Sequence, residues 1–501
     1  MRSWGSAASS NWGCCSHRWR HRCAFPCRRL PLRLHRLSLH FEAFERDPPI
    51  MAVIFCLRAG AALSAIMLCL PQAGRAEDQM TLQQAFVAAY ADSPTLRADR
   101  EGLKILDEDV AAARSAGRPT LQGEGTITRA EMDVVGTGYI VGARLTQPVF
   151  RGFRVSNNIR AAKENVRAGR ESLRQSEIDT FYSIAEQYSA VLRDREVMTL
   201  THEMIDNLTT VKLAEERRLE LGERTKTDVA QAQARLASAQ ATYSRAAQRL
   251  AESETRFRSL VGKDAAKDLA PLPPLPQIPA SRQEAIDLAM EFSPRIRQKK
   301  LEAKVAKHQV DAAMGGLAPQ VDFVASINHR DEIVQILGRK LRQDFATFQA
   351  VMTVPIFQGG AEYAAIRRAR HTHNVRMIEV DEESRSVHAD AAVAWDRFVA
   401  AQQARAALND AIKANEVALS GVRREALHGS RTTLDILDAE LELRDARAAH
   451  VAAVHDEYVA KFGLLAALGT ATAADFDLEV TSYDPDEHYR ATQGRWIGTR
   501  P

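Results

Sequence analysis

The chain has only six cysteines among its 501 residues, and all of them precede residue 77. The later part therefore has no disulfide and must be stable by packing alone. It also lacks a nucleophile elbow, a phosphate-binding loop and a ligand cluster with metal spacing. His371 and His373 are a candidate metal pair, but residues two apart in a helix point to different faces, so we interpret them as surface residues. We expect that the protein is not an enzyme and that it has no cofactor and no metal site.

Positive charge is concentrated at the start of the chain. Residues 1–76 contain 11 Arg and 3 acidic residues, a net charge of +8, whereas the whole chain carries a formal +3. Residues 77–501 therefore carry −5. After residue 77 there is no basic stripe with interleaved aromatic residues. We expect no nucleic-acid partner.

Two segments precede the repeated part of the chain. Residues 1–50 are rich in Arg and show neither helical nor strand periodicity, so we interpret them as an upstream extension that is disordered or untranslated. Within residues 51–76, the apolar run Ala59–Leu70 is followed by Gly74-Arg75-Ala76, which has small residues at the two positions that a signal peptidase reads. This pattern predicts a secretory signal peptide cleaved after Ala76, and the run is too short for a membrane-spanning helix.

Landmarks of the first half recur in the second half at nearly fixed offsets, which indicates two copies of one unit. Seven residues are inserted between Pro319 and Pro355. We place the first repeat at 77–270, a stiff Pro-rich linker at 271–280 and the second repeat at 281–470. The polar, aperiodic tail at 471–501 is expected to be disordered. The landmarks are Ser93-Pro94 and Pro119, which recur 200 residues later, and Pro148, Gly222, Asp228 and Gly262, which recur 207 residues later.

Each repeat contains two segments in which apolar and polar residues alternate. In the first repeat, Leu121 and Ile127 alternate with polar residues, and 139–145 follows the same period. In the second repeat the alternation covers 321–327 and 348–354. Each repeat therefore predicts a strand hairpin, with the seven inserted residues in the loop of the second hairpin.

Strands of about ten residues with one apolar and one polar face are typical of transmembrane barrels. Four strands cannot close a barrel, and an open sheet edge in lipid costs several kcal/mol for each unpaired backbone group. We therefore expect several chains to pool their strands, with three chains supplying twelve.

A long helix is predicted between each second landmark proline and the following glycine, over about 70 residues or ~105 Å. Apolar residues recur every seven positions along it, which is typical of a left-handed coiled coil. Ala-rich helices return from Gly222 and Gly429. The expected fold is mainly α with β, in which each strand hairpin is joined to a long helical hairpin.

In this order and in duplicate, the motifs resemble the outer-membrane efflux protein family, the TolC-like channels, over about residues 80–470. Besides the Ser-Pro pairs, the resemblance rests on 147–152 and 354–360 and on the tips Leu221–Thr225 and His428–Thr432. It implies a homotrimer with a twelve-stranded barrel in outer-membrane lipid and a periplasmic twelve-helix tunnel closed at its far end. It also implies transport rather than catalysis, with a periplasmic adaptor protein and an inner-membrane ABC or proton-driven pump as partners.

Asp435 and Asp438 are the candidate aperture gate. They are three positions apart on one predicted helix and so share a face, and a threefold assembly would turn them into two rings of carboxylates that attract cations. From the spacing alone, a solvated acidic face is the simpler interpretation. The resemblance favours the gate, because 434–439 matches the segment that carries the aperture aspartates of the family.

The resemblance also implies a gate latch in which Arg431 of one chain contacts Thr227 and Asp228 of a neighbour. The family has a tyrosine in this network where the present chain has Ala426, which predicts a leakier closed state. The candidate adaptor-docking tips are Gly222, Glu223, Gly429 and Ser430.

Two functions compete at this point. The first is a passive exit duct for a tripartite efflux or type I secretion system, gated at its periplasmic end. The alternative is a periplasmic coiled-coil scaffold without a pore, which would not need the four strands. The cargo, whether protein, drug or metal, stays open because selectivity resides largely in the pump.

Overall fold

The computed structural model of the chain describes residues 79–131, 135–265, 269–334 and 339–499. The predicted upstream extension and signal peptide lie outside these residues. Both repeats contain the same elements in the same order. The first repeat comprises α1 (Leu82–Asp92), α2 (Pro94–Ser115), β1 (Thr120–Glu131), β2 (Val135–Arg151), α3 (Arg154–Glu220) and α4 (Lys226–Val261). The second comprises α5 (Arg282–Phe292), α6 (Pro294–Met314), β3 (Gln320–Val334), β4 (Arg339–Thr353), α7 (Ala361–Leu427) and α8 (Thr433–Leu468), and α9 (Pro485–Thr492) follows.

The long helices have equal lengths in the two repeats. Helices α3 and α7 have 67 residues each, and the returning helices α4 and α8 have 36 each. At 1.5 Å per residue α3 is ~100 Å long, so α4 accompanies only the half of α3 nearer the tip. Along the other half, Leu103 of α2 packs against Val166 of α3. The predicted long helices and the mainly helical fold are confirmed.

The Ser-Pro pairs separate a short helix from the next one in both repeats. Ser93 and Ser293 have extended ψ angles of 123° and 121°, because a residue before proline avoids the helical region. Pro94 and Pro294 then occupy the first turn of α2 and α6, where a missing N–H costs no hydrogen bond.

Among the described residues, no helix combines the length and the apolarity that crossing a membrane requires.

The strands form one antiparallel sheet in the order β1-β2-β3-β4. The β1–β2 ladder runs from Thr120 opposite Thr146 to Glu131, and the β3–β4 ladder from Gln320 opposite Thr353 to Val334. The second ladder is three residues longer on each strand. Six of the seven inserted residues therefore lengthen the strands, and the expectation that the insertion lies in the loop was wrong. Alternation alone could not show this, because the period continues unchanged as a strand grows.

The two faces of the sheet differ in polarity. On one face, Leu145 lies opposite Leu121 on β1 and opposite Ala325 on β3. The other face carries the ion pair of Arg144 Nε with Glu124 Oε1 at 2.7 Å, whereas on the first face ion pairs lie towards the loop end, where His329 contacts Asp344. Large apolar side chains remain exposed on the first face, namely Leu121, Ile127, Val141, Leu145, Phe323, Ile327, Phe348 and Met352. Such a patch is expected only where an apolar phase or another protein covers it.

The largest core cluster joins the two repeats near the middle of the long helices. Phe181 of α3 stacks on Phe86 of α1 at 4.7 Å between ring centres, and Phe462 of α8 lies 5.9 Å from Phe86. All three rings are buried. Burial of this kind supplies most of the stability of a disulfide-free fold.

The tail expected to be disordered is folded, so that expectation was wrong. Residues 470–499, here called the C-terminal strap, continue the core through Phe476, which stacks on Phe462 at 5.4 Å. Within α9, His488 Nδ1 lies 3.0 Å from Oδ2 of Asp107, a buried residue of α2. Burial raises the pKa of Asp107, and the His488 contact opposes that rise. The strap has no helical or strand period over most of its length, so only tertiary contacts could reveal its order.

A replacement in the strap tests its packing. His488→Ala removes the partner of a buried carboxylate, so the free energy of unfolding should fall by about 1–3 kcal/mol. It can be measured by urea unfolding of the helical signal. The matched control is Arg490→Ala, whose exposed pair with Asp484 contributes at most about 1 kcal/mol. Equal effects of the two replacements would contradict the folded strap.

Candidate functional site

The tip of each helical hairpin is built by a glycine-terminated turn. Glu223 N donates to Arg218 O at 2.8 Å, and Gly222 N donates to Leu219 O at 3.0 Å, which is the Schellman arrangement. Gly222 has φ +80°, and its counterpart Gly429 has φ +77°. A side chain would meet nothing within 4 Å at either glycine, so glycine is required by the backbone angle rather than by space.

The four residues predicted as adaptor-docking tips are exposed at these two turns. Gly222 and Glu223 lie between α3 and α4, and Gly429 and Ser430 lie between α7 and α8. Their exposure is compatible with docking, which stays a prediction.

Two predicted site aspartates serve as partners in helix capping boxes. Asp228 Oδ2 accepts hydrogen bonds from the backbone N and Oγ1 of Thr225, both at 2.9 Å, and Thr225 Oγ1 accepts from Asp228 N. In the same way, Asp435 Oδ2 accepts hydrogen bonds from the backbone N of Thr432 at 2.7 Å and from Thr432 Oγ1 at 2.9 Å. Sequence reasoning missed this role, although Thr-x-x-Asp before a helix is a recognisable capping pattern.

Capping also sets the charge of these carboxylates. The pKa of Asp435 is lowered, first by the backbone N–H of Thr432 and then by its hydroxyl. The pKa of Asp228 is lowered in the same way by Thr225. Both residues therefore stay ionised at neutral pH, at the helix end where a negative charge is favourable.

Asp438 has a different environment from Asp435. Its Oδ1 lies 2.8 Å from Nη2 of Arg235 on α4, so an ion pair links the two hairpins. The spacing prediction that both aspartates lie on one helix fits the structure, since both belong to α8. Their charges are not equivalent, however, because the Arg235 guanidinium offsets the charge of Asp438.

Two of the three predicted latch residues, Arg431 and Asp228, contact partners within their own hairpins. Arg431 Nε donates to Glu425 Oε2 at 2.9 Å, and both side chains are about half exposed. Thr227 is exposed at the start of α4, one residue before Asp228, which is engaged in its capping box. The latch between chains therefore stays a prediction.

Arg224 links the two hairpins within one chain. It occupies the position of Arg431 in the first repeat, and its Nη2 donates to Thr433 Oγ1 of α8 at 3.0 Å. Its Nε lies 3.3 Å from Oε2 of Glu215, a carboxylate only 5% exposed. These groups line a cleft of about 150 Å³ together with Arg235. The 207-residue offset between the repeats identifies Arg224 as the equivalent of Arg431. The sequence prediction considered only the aspartates and Arg431 and therefore missed Arg224.

Within the described ranges, no group of three or more His, Cys, Asp or Glu side chains is placed to hold a metal ion.

Two long helical hairpins, each continued by an antiparallel strand hairpin with one exposed apolar face, define a subunit of an outer-membrane channel. Over residues 86–263 and 285–470 the sequence matches the outer membrane efflux protein family, and the chain belongs to this family. The predicted family, the channel function and the absence of an enzymatic role are thereby confirmed. The family is one of the outer membrane.

Known proteins of this kind resemble most of the chain. It is 35% identical over 431 residues to the outer membrane efflux protein BepC of Brucella suis biovar 1 (strain 1330), covering 85% of this chain and 93% of BepC. It is 24% identical over 355 residues to the alkaline protease secretion protein AprF of Pseudomonas aeruginosa, covering 69% of this chain and 72% of AprF. The fold resembles the open MtrE outer membrane channel of Neisseria gonorrhoeae, with a TM-score of 0.67, 22% identity, and coverage of 77% and 88%.

The capping carboxylates predict that the tips loosen in acid. A lowered pKa in the folded state means that capping by Asp228 and Asp435 is complete above the unfolded-state pKa of about 3.9. It is lost as the pH falls through the lower folded-state value. Amide hydrogen-exchange protection at residues 225–228 and 432–435 should therefore fall below pH ~4.

The chain contains a matched control for this effect. The capping box of α1 uses Thr81 with Gln84, which carries no titrating group. Protection at that helix end should show no comparable loss, and Asp435→Asn should remove the pH dependence at the second tip only. Equal acid sensitivity at all three helix ends would contradict carboxylate capping as the cause.

Proposed function

We propose that three copies of this chain form a passive exit duct, with a twelve-stranded barrel in the outer membrane and a helical tunnel extending into the periplasm. The sheet carries this proposal. It has an exposed apolar face, a face with ion pairs, and outer strands β1 and β4 that each pair on one side only within the described chain. In lipid such edges must be paired, and cyclic association of identical chains pairs them all.

The length of the helices supports a periplasmic tunnel. With α3 and α7 ~100 Å long, the capped tips lie far from the sheet. A partner that reaches the duct from the inner membrane would meet the tips first. We infer that Gly222, Glu223, Gly429 and Ser430 form the docking surface for a periplasmic adaptor protein.

The charges at the tips support a cation-attracting constriction. Asp435 stays ionised while it caps α8, so a threefold ring of this residue would retain its negative potential. Asp438 is paired with Arg235, and its ring would contribute less. We therefore assign the main selectivity to Asp435, with Asp438 as a secondary ring.

A latch between chains would require Arg431 to exchange its partner. Arg431 would leave Glu425 and contact Thr227 and Asp228 of a neighbour. Because the Arg431–Glu425 pair is half exposed, the exchange costs little. Ala426 supplies no hydroxyl to hold the closed state.

An efflux or type I secretion system would supply the energy through an inner-membrane ABC or proton-driven pump. BepC is named an efflux protein and AprF a protease secretion protein, so efflux and protein secretion both occur among the names of the relatives. The scaffold without a pore has no use for the apolar sheet face.

Single-channel conductance in planar bilayers tests the gate. Asp435→Asn should reduce cation selectivity more than Asp438→Asn, because Asp438 is in direct contact with Arg235, whereas Arg431 acts on Asp435 only from a longer distance. Reversal potentials in a salt gradient measure this difference. The gate assignment is wrong if neither replacement changes selectivity while the folded trimer conducts, and the duct itself is excluded if the folded trimer never conducts.

A second pair of variants tests the latch. Arg431→Ser removes the proposed contact between chains and should raise the conductance of the closed state. Glu425→Ala is the matched control, since it removes only the contact within the chain and leaves Arg431 able to reach a neighbour. Equal increases for both variants would mean that Arg431 acts by holding its own tip and not as a latch.

A further inference from the structure

The C-terminal strap runs along α2 towards the sheet. His488 contacts Asp107, then Arg114 Nη1 donates to the backbone oxygen of Gln493 at 2.5 Å. Finally, Arg118 Nη1 donates to the backbone oxygen of Arg495 at 2.9 Å. The contacts proceed along α2 and then past its end at Ser115. The strap therefore ends beside the turn that leads into β1 at Thr120.

Two exposed apolar residues stand at that end of the strap. The Arg118 guanidinium lies 4.7 Å from the ring centre of Trp496, a cation–π contact that fixes the indole beside the turn. Trp496 is nevertheless 65% exposed, and Ile497 is 94% exposed. An indole fixed in place with most of its surface uncovered indicates an environment that the single chain does not supply.

The sheet contributes further apolar residues at the same level. Gln147 Nε2 donates to the backbone oxygen of Gly117 at 3.1 Å, which ties the end of β2 to the turn after α2. Just beyond it, Val149 and Phe153 are 66% and 69% exposed. Leu121, three residues after Arg118, begins the apolar face of β1. Trp496 and Ile497 thus lie beside the turn at which the apolar face of the sheet begins.

We propose that Trp496 and Ile497 form a membrane anchor that inserts into the periplasmic leaflet of the outer membrane at the base of the barrel. The inference rests on the proposed barrel. A tryptophan suits this depth because its ring favours the acyl boundary while its N–H can bond to water or headgroups. The anchor would hold the strap, and with it α2, against the membrane, so that the helical tunnel is fixed at the strap as well as through the strands.

The scarcity of tryptophan after residue 77 gives a direct test. Trp395 and Trp496 are the two tryptophans of that region, so Trp395→Phe in a protein starting at residue 77 leaves Trp496 as the sole indole. In phosphatidylcholine vesicles its emission should be blue-shifted. It should be quenched more by lipid brominated near the glycerol end of the acyl chain than near the methyl end. If brominated lipid does not quench the emission of Trp496, the anchor is overturned. Quenching by aqueous iodide would then place the indole in water, and absence of iodide quenching would mean that a second copy or another protein covers it.

A control separates this outcome from failure of the barrel. Phe348→Trp, made with Trp395→Phe and Trp496→Phe, places the sole indole on the apolar sheet face, where Phe348 is 72% exposed. If brominated lipid quenches the indole at position 348 but does not quench Trp496, the anchor is refuted and the barrel is not. Absence of quenching at both positions refutes the barrel.

A cysteine probe replaces the first test if Trp395→Phe fails to fold. No cysteine follows residue 77, so Ile497→Cys gives a single labelling site in a protein that starts at residue 77 and keeps Trp395. An environment-sensitive fluorophore there should brighten in vesicles and be quenched by lipid brominated near the glycerol end. Emission unchanged between detergent-free buffer and vesicles would overturn the anchor.

Discussion

Backbone hydrogen bonding at the sheet edges is the constraint on which the rest of this structure depends. Hydrocarbon offers no partner for an N–H or C=O group, so β1 and β4 cannot end a sheet in lipid. The described part of the chain makes four strands, so in the proposed barrel closure would come from identical neighbours. The duplication then has a physical sense, because each repeat delivers one strand hairpin with its own long helix. In that assembly, helices that continue from a closed ring of strands would be arranged in a ring themselves.

In the proposed duct, the tips would have to satisfy two demands with the same groups. A helix end leaves backbone N–H groups unpaired, and Thr432 with Asp435 satisfies them at the start of α8. A gate at the same place needs negative charge facing the passage. An ionised capping carboxylate meets both demands, since accepting hydrogen bonds favours its charged form. Any opening movement that disturbs this carboxylate also weakens the end of its own helix, which couples gate chemistry to tip stability.

Several elements were predictable because their signals are local or periodic. The equal spacing from Pro148 to Gly222 and from Pro355 to Gly429 predicted two helices of equal length, and both have 67 residues. Alternation predicted the four strands, since a side-chain period of two follows from the strand backbone. The ion pair of Asp438 was not predictable in this way. Arg235 is about 200 residues away in the sequence, and no pattern in either segment indicates that the two residues are in contact.

By itself the sequence determined the duplication, the strands, the long helices and the glycine tips, because backbone angles and hydrophobic period act within a few residues of the chain. Tertiary structure alone decided which groups meet. It placed Arg224 rather than Arg431 across the two hairpins, gave Asp435 and Asp438 different partners, and folded the C-terminal strap against α2. Such contacts join distant segments, and their energies depend on burial and geometry that no local pattern encodes.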